Sequence, residues 1–213
     1  MKKQILFKTL LEHFGQLNWW PGESFYEIFV GCILAQNTRW ERVVPVIAEM
    51  KRLNILAPQN YLQLSTEELE LVIKESGTFR RKAEYLRIAG EFMLGKGWDG
   101  TPASVTTETE ELRRELLALK GIGPETCDCI LLYVLERPVF VVDTYSKRIL
   151  SRHELCSAKA KYSEVQKLFH KGVEPDVSVY KEYHGLIVEC AKQFCKVKPL
   201  CHLCPVNEGE LVL

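Results

Sequence analysis

Apolar residues recur at intervals of three and four along nearly the whole chain, the spacing that lines one face of an α-helix. Residues 24–34 show it with Phe25, Ile28, Phe29, Cys32 and Ile33, and residues 40–53 repeat it. Further helices are predicted over residues 6–15, 82–95, 108–119, 125–135, 146–155, 163–171 and 177–194. Another opens at Thr66-Glu67-Glu68-Leu69, where acids suit the positive end of the helix dipole, and closes at Gly77. Residues 95–107, rich in Gly, Thr and Pro, read as loop. The run Val139-Phe140-Val141-Val142 has a strand's composition but no companion run, so it is predicted to be a buried extended connector. The expected fold class is all-α.

One break between helices is chemically distinctive. Leu119-Lys120-Gly121-Ile122-Gly123-Pro124-Glu125-Thr126 alternates two glycines with one apolar residue. Pro124 then suits a first helical position. Glycine lets a backbone turn sharply and approach a ligand closely. Amides of such a turn and of the helix start behind it suit an anion, for instance a DNA phosphate. Eighteen residues past Glu125 lies Asp143, between the apolar connector and Thr144-Tyr145-Ser146-Lys147-Arg148. The plain alternatives are a tight helix–helix turn and a helix N-cap.

Composition narrows the setting. The 28 basic and 28 acidic residues balance, so no overall basic excess marks a polyanion binder. Local groups, Arg80-Arg81-Lys82 with Arg87, Arg113-Arg114, and Lys192 with Lys196 and Lys198, remain candidate phosphate contacts. The N-terminus lacks the apolar core of a secretion signal and no run is long enough to span a membrane, so a cytoplasmic location is expected. In a reducing compartment the eight cysteines point to metal ligation or packing rather than disulfides. Cys195, Cys201 and Cys204, with a CxxC pair at the end, suit a tetrahedral thiolate site for zinc or an iron–sulfur cluster. Cys32, Cys127, Cys129 and Cys156 sit in apolar helical contexts as small core residues.

The hairpin, the aspartate and the cysteine-rich tail together resemble the endonuclease III (helix-hairpin-helix, HhH-GPD) superfamily of DNA glycosylases, over almost the whole chain. Trp19-Trp20-Pro21 and Gln36-Asn37-Thr38-Arg39-Trp40 are similar to stretches of its 3-methyladenine branch. The resemblance implies two helical lobes: a six-helix lobe of residues 21–136 with the hairpin, and residues 1–20 plus 137–213 with a C-terminal iron–sulfur loop. It implies Asp143 as the catalytic carboxylate and a base pocket of Trp19 and Trp40, supported by Trp20 and Pro21. Glu125 stands there where bifunctional members carry a nucleophilic lysine.

On the DNA side the resemblance implies Gln36 filling the gap left by the flipped nucleotide, with Asn37 beside it. Thr78, in Gly77-Thr78-Phe79, occupies the wedge into the opposite strand. Lys120, Gly121, Ile122, Gly123 and Lys147 contact the backbone, a monovalent cation can sit at the hairpin, and His184-Gly185 has a structural part. A [4Fe-4S] cluster is implied on Cys190, Cys195, Cys201 and Cys204. Five residues separate Cys195 from Cys201, one fewer than the family's usual spacing, and Glu210 stands where the family has its last cysteine. Cys190 is taken as the fourth ligand because thiolates suit such clusters better than carboxylates.

The expected protein is a monomeric, nucleoid-associated DNA glycosylase without lyase activity. Its substrate would be double-stranded DNA carrying an alkylated purine such as 3-methyladenine. The alternatives are a glycosylase for mismatched or oxidised bases and a non-catalytic iron–sulfur DNA-binding protein.

Overall fold

The computed structural model describes residues 2–20 and 22–206; Pro21 and Glu210, both named above, lie outside them. Every regular element among the described residues is helical. None of these helices is long and apolar enough to cross a membrane. The chain opens with α1 (Lys2–Phe14), then forms one compact unit over Gly22–Glu136; α1 belongs to a second compact unit with the chain from Arg137 onward.

In the Gly22–Glu136 unit, α2 (Phe25–Leu34) is buried almost all round, as befits a helix at the centre of a bundle. Ser24 caps it by accepting from the Glu27 amide. Around it lie α3 (Trp40–Arg52), α4 (Pro58–Tyr61), α5 (Thr66–Val72), α6 (Phe79–Gly95), α7 (Thr109–Ala118) and α8 (Pro124–Cys129). Helix α3 buries Val43, Val46, Ile47 and Met50, a single stripe at helical spacing. A reciprocal capping box of Ser65 and Glu68 starts α5.

Three differences from the expected elements have local causes. Helix α5 ends at Val72, and a 3₁₀ turn over Lys74–Ser76 intervenes before Gly77, whose φ of +72° ends the run. Helix α8 does not continue regularly but widens into a π turn over Ile130–Val134, with the Leu135 amide bonded to the Ile130 carbonyl. Helix α4 and the 3₁₀ turns at Pro102–Ser104 and Cys201–Leu203 are too short for periodicity to reveal.

The α7–α8 hairpin is held from two sides. Gly121 turns the chain at φ +89°, and the Tyr85 ring of α6 lies so close that a Cβ there would fall 2.2 Å from its Cγ. Ile122, between the glycines, is buried. Arg113 of α7 grips the fully buried Asp128 of α8 through two bonds of 2.7 and 3.1 Å. Its guanidinium therefore braces the hairpin instead of being committed to phosphate.

In the second unit, α9 (Thr144–Arg152), α10 (Tyr162–Gly172) and α11 (Val177–Gln193) join α1. The predicted connector is present: residues 139–142 lie in no helix or strand and are buried. Without a sheet, its backbone needs other partners. One face of α10 supplies them. His170 accepts from the Phe140 amide (3.1 Å), Gln166 donates to the Phe140 carbonyl (2.8 Å), and the Tyr162 hydroxyl accepts from the Val142 amide (3.2 Å). Phe140 also stacks on Phe169 at 3.7 Å between ring centres. The chain entering Asp143 is thus fixed before the acid is reached.

Gly121→Ala should cost about 2–4 kcal/mol, because the left-handed conformation disfavours a Cβ and the Tyr85 ring leaves it no room. Chemical denaturation of the variant reads this directly; an unchanged midpoint would show that the ring yields freely.

Candidate active site

Asp143 is the N-cap of α9, extended at φ −112° and only 9 % exposed. One carboxylate oxygen accepts from both the amide and the hydroxyl of Ser146, each at 2.7 Å. The other faces His184 Nε2 of α11 at 3.6 Å, an ion-pair distance rather than a close hydrogen bond. Burial by itself would raise the acid's pKa. The nearby His184, aided by the Ser146 donors, outweighs burial and keeps the carboxyl below its ordinary value. At neutral pH the group is therefore a fixed carboxylate. Such a group can stabilise a developing cation or orient and deprotonate water. The cap reading of Asp143 and a chemical role are compatible, since capping immobilises the charge.

Helix α11 also organises the Trp19 segment. Glu182, nearly buried, accepts from the Leu17 amide and, at 3.1 Å, from the Asn18 amide, where φ is +50°. One turn on, Gly185 receives Trp19 so closely that a Cβ would sit 2.5 Å from the tryptophan Cβ. Lys192 Nζ lies 5.3 Å from the indole centre. Sequence reasoning missed Glu182 because a glutamate inside a long helix carries no motif of its own. Its only signal was a carboxylate at a position that α11 otherwise fills with core residues. Trp19 and Trp20 are half-buried, Lys147 is half-buried on α9, and Arg148 is drawn to α11 through the Ala191 carbonyl.

In the Gly22–Glu136 unit, Gln36 Nε2 donates to the Gly121 carbonyl at 2.9 Å and to Thr126 Oγ1 at 3.0 Å. The α2–α3 turn is thereby tied to the hairpin. Asn37 is exposed at φ +51°, Thr38 Oγ1 donates to the Ser76 carbonyl at 2.6 Å, and Trp40 begins α3, half-buried. Thr78 is exposed at the head of α6. Lys120 is exposed and paired with Glu84, Gly123 caps α8, and Glu125 lies exposed in its first turn.

The cysteine tail follows α11. That helix stops at Gln193, so Cys195 turns out of it while Cys190 stays buried inside. Cys190 and Cys204 sulfurs are 4.0 Å apart; their shared hydrogen bond pushes the Cys204 thiol down and the Cys190 thiol up. Cys195, Cys201 and Cys204 line one cavity of about 60 Å³. Arg152, in the last turn of α9, reaches Cys195 Sγ at 3.2 Å and the Lys196 and Val197 carbonyls at 2.6 and 3.2 Å. His202 is exposed.

Residues 30–175 match the family model of the HhH-GPD superfamily of base excision DNA repair proteins. A Methanocaldococcus jannaschii protein assigned as a DNA repair glycosylase is 41 % identical, over 95 % of this chain and 93 % of its own. Endonuclease III of Thermotoga maritima is 29 % identical, over 84 % and 79 %. The structure of Helicobacter pylori 3-methyladenine DNA glycosylase bound to 1,N6-ethenoadenine superposes with a TM-score of 0.73 at 27 % identity, over 90 % and 95 %. With its helical hairpin, fixed aspartate and matching family model, the chain belongs to the HhH-GPD superfamily of base excision repair DNA glycosylases.

Proposed function

We propose that this DNA glycosylase hydrolyses the N-glycosidic bond of alkylated purines such as 3-methyladenine and leaves an abasic site uncleaved. The observation that carries the reading is Asp143, a carboxylate kept ionised and immobile by Ser146 and His184. A base inside duplex DNA must leave the stack before its glycosidic bond can be reached. As the bond to the base lengthens, the sugar gains oxocarbenium character. A fixed carboxylate beside the anomeric carbon stabilises that charge without reorganising. The alkylated purine, cationic while attached, leaves as a neutral base with the bonding electron pair, and water adds to the sugar with its proton passing toward Asp143.

The lesion class follows from aromatic chemistry. Trp19, Trp20 and Trp40 are the aromatic residues assigned to stacking on the extruded base. Electron-rich indole faces favour a cationic methylated purine over a neutral base by cation–π attraction. The likeness to a 3-methyladenine glycosylase at 27 % identity supports this choice. Gln36, Asn37 and Thr78 would enter the duplex, while Lys120, Gly121, Ile122, Gly123 and Lys147 hold phosphates. Glu125 occupies the place of the bifunctional members' lysine. A carboxylate cannot form a Schiff base with the sugar, so hydrolysis is the available route.

The cysteine loop would hold a [4Fe-4S] cluster. Among the described residues no three His, Cys, Asp or Glu side chains are grouped for a single ion. Cys195, Cys201 and Cys204 line one cavity and Cys190 Sγ lies 4.0 Å from Cys204 Sγ, which supports a cluster whose irons each take a different sulfur. Cys190, Cys195, Cys201 and Cys204 are the ligands in this reading, with the Arg152 guanidinium as a hydrogen-bond donor to Cys195. When bound, the cluster cross-links α11 to the tail.

Asp143→Asn should lower single-turnover excision of 3-methyladenine by roughly 10²–10³-fold, the cost of losing one directed electrostatic group, with duplex binding retained. Weakened binding with unchanged turnover at saturation would remove Asp143 from the chemistry. Borohydride treatment during turnover should trap no covalent enzyme–DNA complex; efficient trapping would establish a lyase. Protein purified without oxygen should be brown and carry roughly four irons per chain. Cys190→Ser should lose that colour; zinc in its place, or full colour in the variant, would contradict the ligand set.

A further inference from the structure

Lys82 of α6 is only 1 % exposed, an expensive position for an ammonium group. Its three N–H donors are all used, and all three acceptors are neutral. Nζ donates to the Leu34 carbonyl at the end of α2 (2.7 Å), to Thr38 Oγ1 (2.7 Å) and to the Ser76 carbonyl (2.6 Å). Thr38 Oγ1 in turn donates to the same Ser76 carbonyl. One buried cation therefore joins a helix end, the turn at residues 36–38 and the turn at residues 76–77. Burial, with the nearby charge of Arg42, lowers its pKa to about 8. The two turns also meet directly through Thr38 Oγ1 and the Ser76 carbonyl, and the ammonium bonds both members of that contact.

These turns carry Gln36 and Asn37 on one side and Thr78 on the other. We propose that Lys82 is a positioning residue that locks the two turns into one rigid body, so that both enter the duplex together when a nucleotide is extruded. The inference rests on the assignment of these turns to the DNA interface made under Proposed function. An apolar side chain of similar length would fill the same space but leave three acceptors without their donor. The Ser76 carbonyl keeps the Thr38 hydroxyl, and the penalty usual for unpaired buried groups falls on the remaining acceptors.

The test compares wild type, Lys82→Met and Lys82→Arg in two measurements. Hydrogen exchange of the amides at residues 36–38 and 77–79 reads the tie itself. Single-turnover release of 3-methyladenine is then measured from a duplex and from a single strand, where no partner strand has to be wedged away. Lys82→Met should speed exchange at those amides by roughly tenfold while the rest of the unit is unchanged. It should also slow duplex excision by roughly tenfold with little change on the single strand, and Lys82→Arg should recover part of the duplex rate. Unchanged exchange overturns the proposal. So does an equal loss on both substrates, which marks a general loss of stability. Should Lys82→Met fail to fold, Lys82→Gln, with two donors kept, is judged by the same comparisons. A wild type that releases no base from either substrate refutes the alkylpurine reading alone, and the exchange data still decide whether Lys82 ties the turns.

Discussion

A single carboxylate held at a helix end is the constraint on which the rest of the site is built. Asp143 gives one oxygen to Ser146 and presents the other toward His184. Removed from water, such a charge is costly unless its partners are fixed. They are fixed here by two different elements: Ser146 by the first turn of α9, His184 by the middle of α11. The approach to the acid is equally determined, because Tyr162, Gln166 and His170 of α10 bind the connector's backbone directly before it. The outcome is a charge held in place by its partners, the condition under which a group can stabilise developing positive charge without reorganising.

Helix α11 gathers several tasks onto adjacent turns. Glu182 holds the Leu17 and Asn18 amides, His184 faces Asp143, Gly185 makes room for Trp19, and Cys190 reaches the cysteine loop. Helix α9 runs alongside this chemistry with Asp143 capping one end and Arg152 clasping the loop at the other. The nine residues of α9 thus join the acid's cap to the arginine that holds the cysteine loop. In the other unit, Gln36 and Lys82 play corresponding parts, tying turns that have no regular structure of their own to the hairpin and to the end of α2.

Much of this was legible in the chain because it is written in local rules. Helical spacing showed the long helices, alternating glycines and Pro124 marked the hairpin, and the partnerless run before Asp143 was correctly taken as a connector. The family resemblance rested on the same short-range signals, and the match over residues 30–175 bears it out. What escaped was set by long-range contacts. Arg113 looks like a surface cation in sequence, yet it braces Asp128. Lys82 reads as one of a basic trio and is in fact enclosed. Glu182 lies 165 residues from the amide it binds. The widening of α8 into a π turn is equally silent, because a five-residue hydrogen-bond step leaves no distinct apolar pattern.

The central claim is that Asp143 acts as a fixed negative charge facing a cationic sugar. The most direct measurement is the affinity for duplexes that carry, at one position, either a cationic pyrrolidine or a neutral tetrahydrofuran in place of the nucleoside. Wild type should prefer the cation by at least about tenfold, or about 1.4 kcal/mol, and Asp143→Asn should lose that preference while binding the neutral duplex as before. An equal preference in the variant, or none in the wild type, would contradict the account.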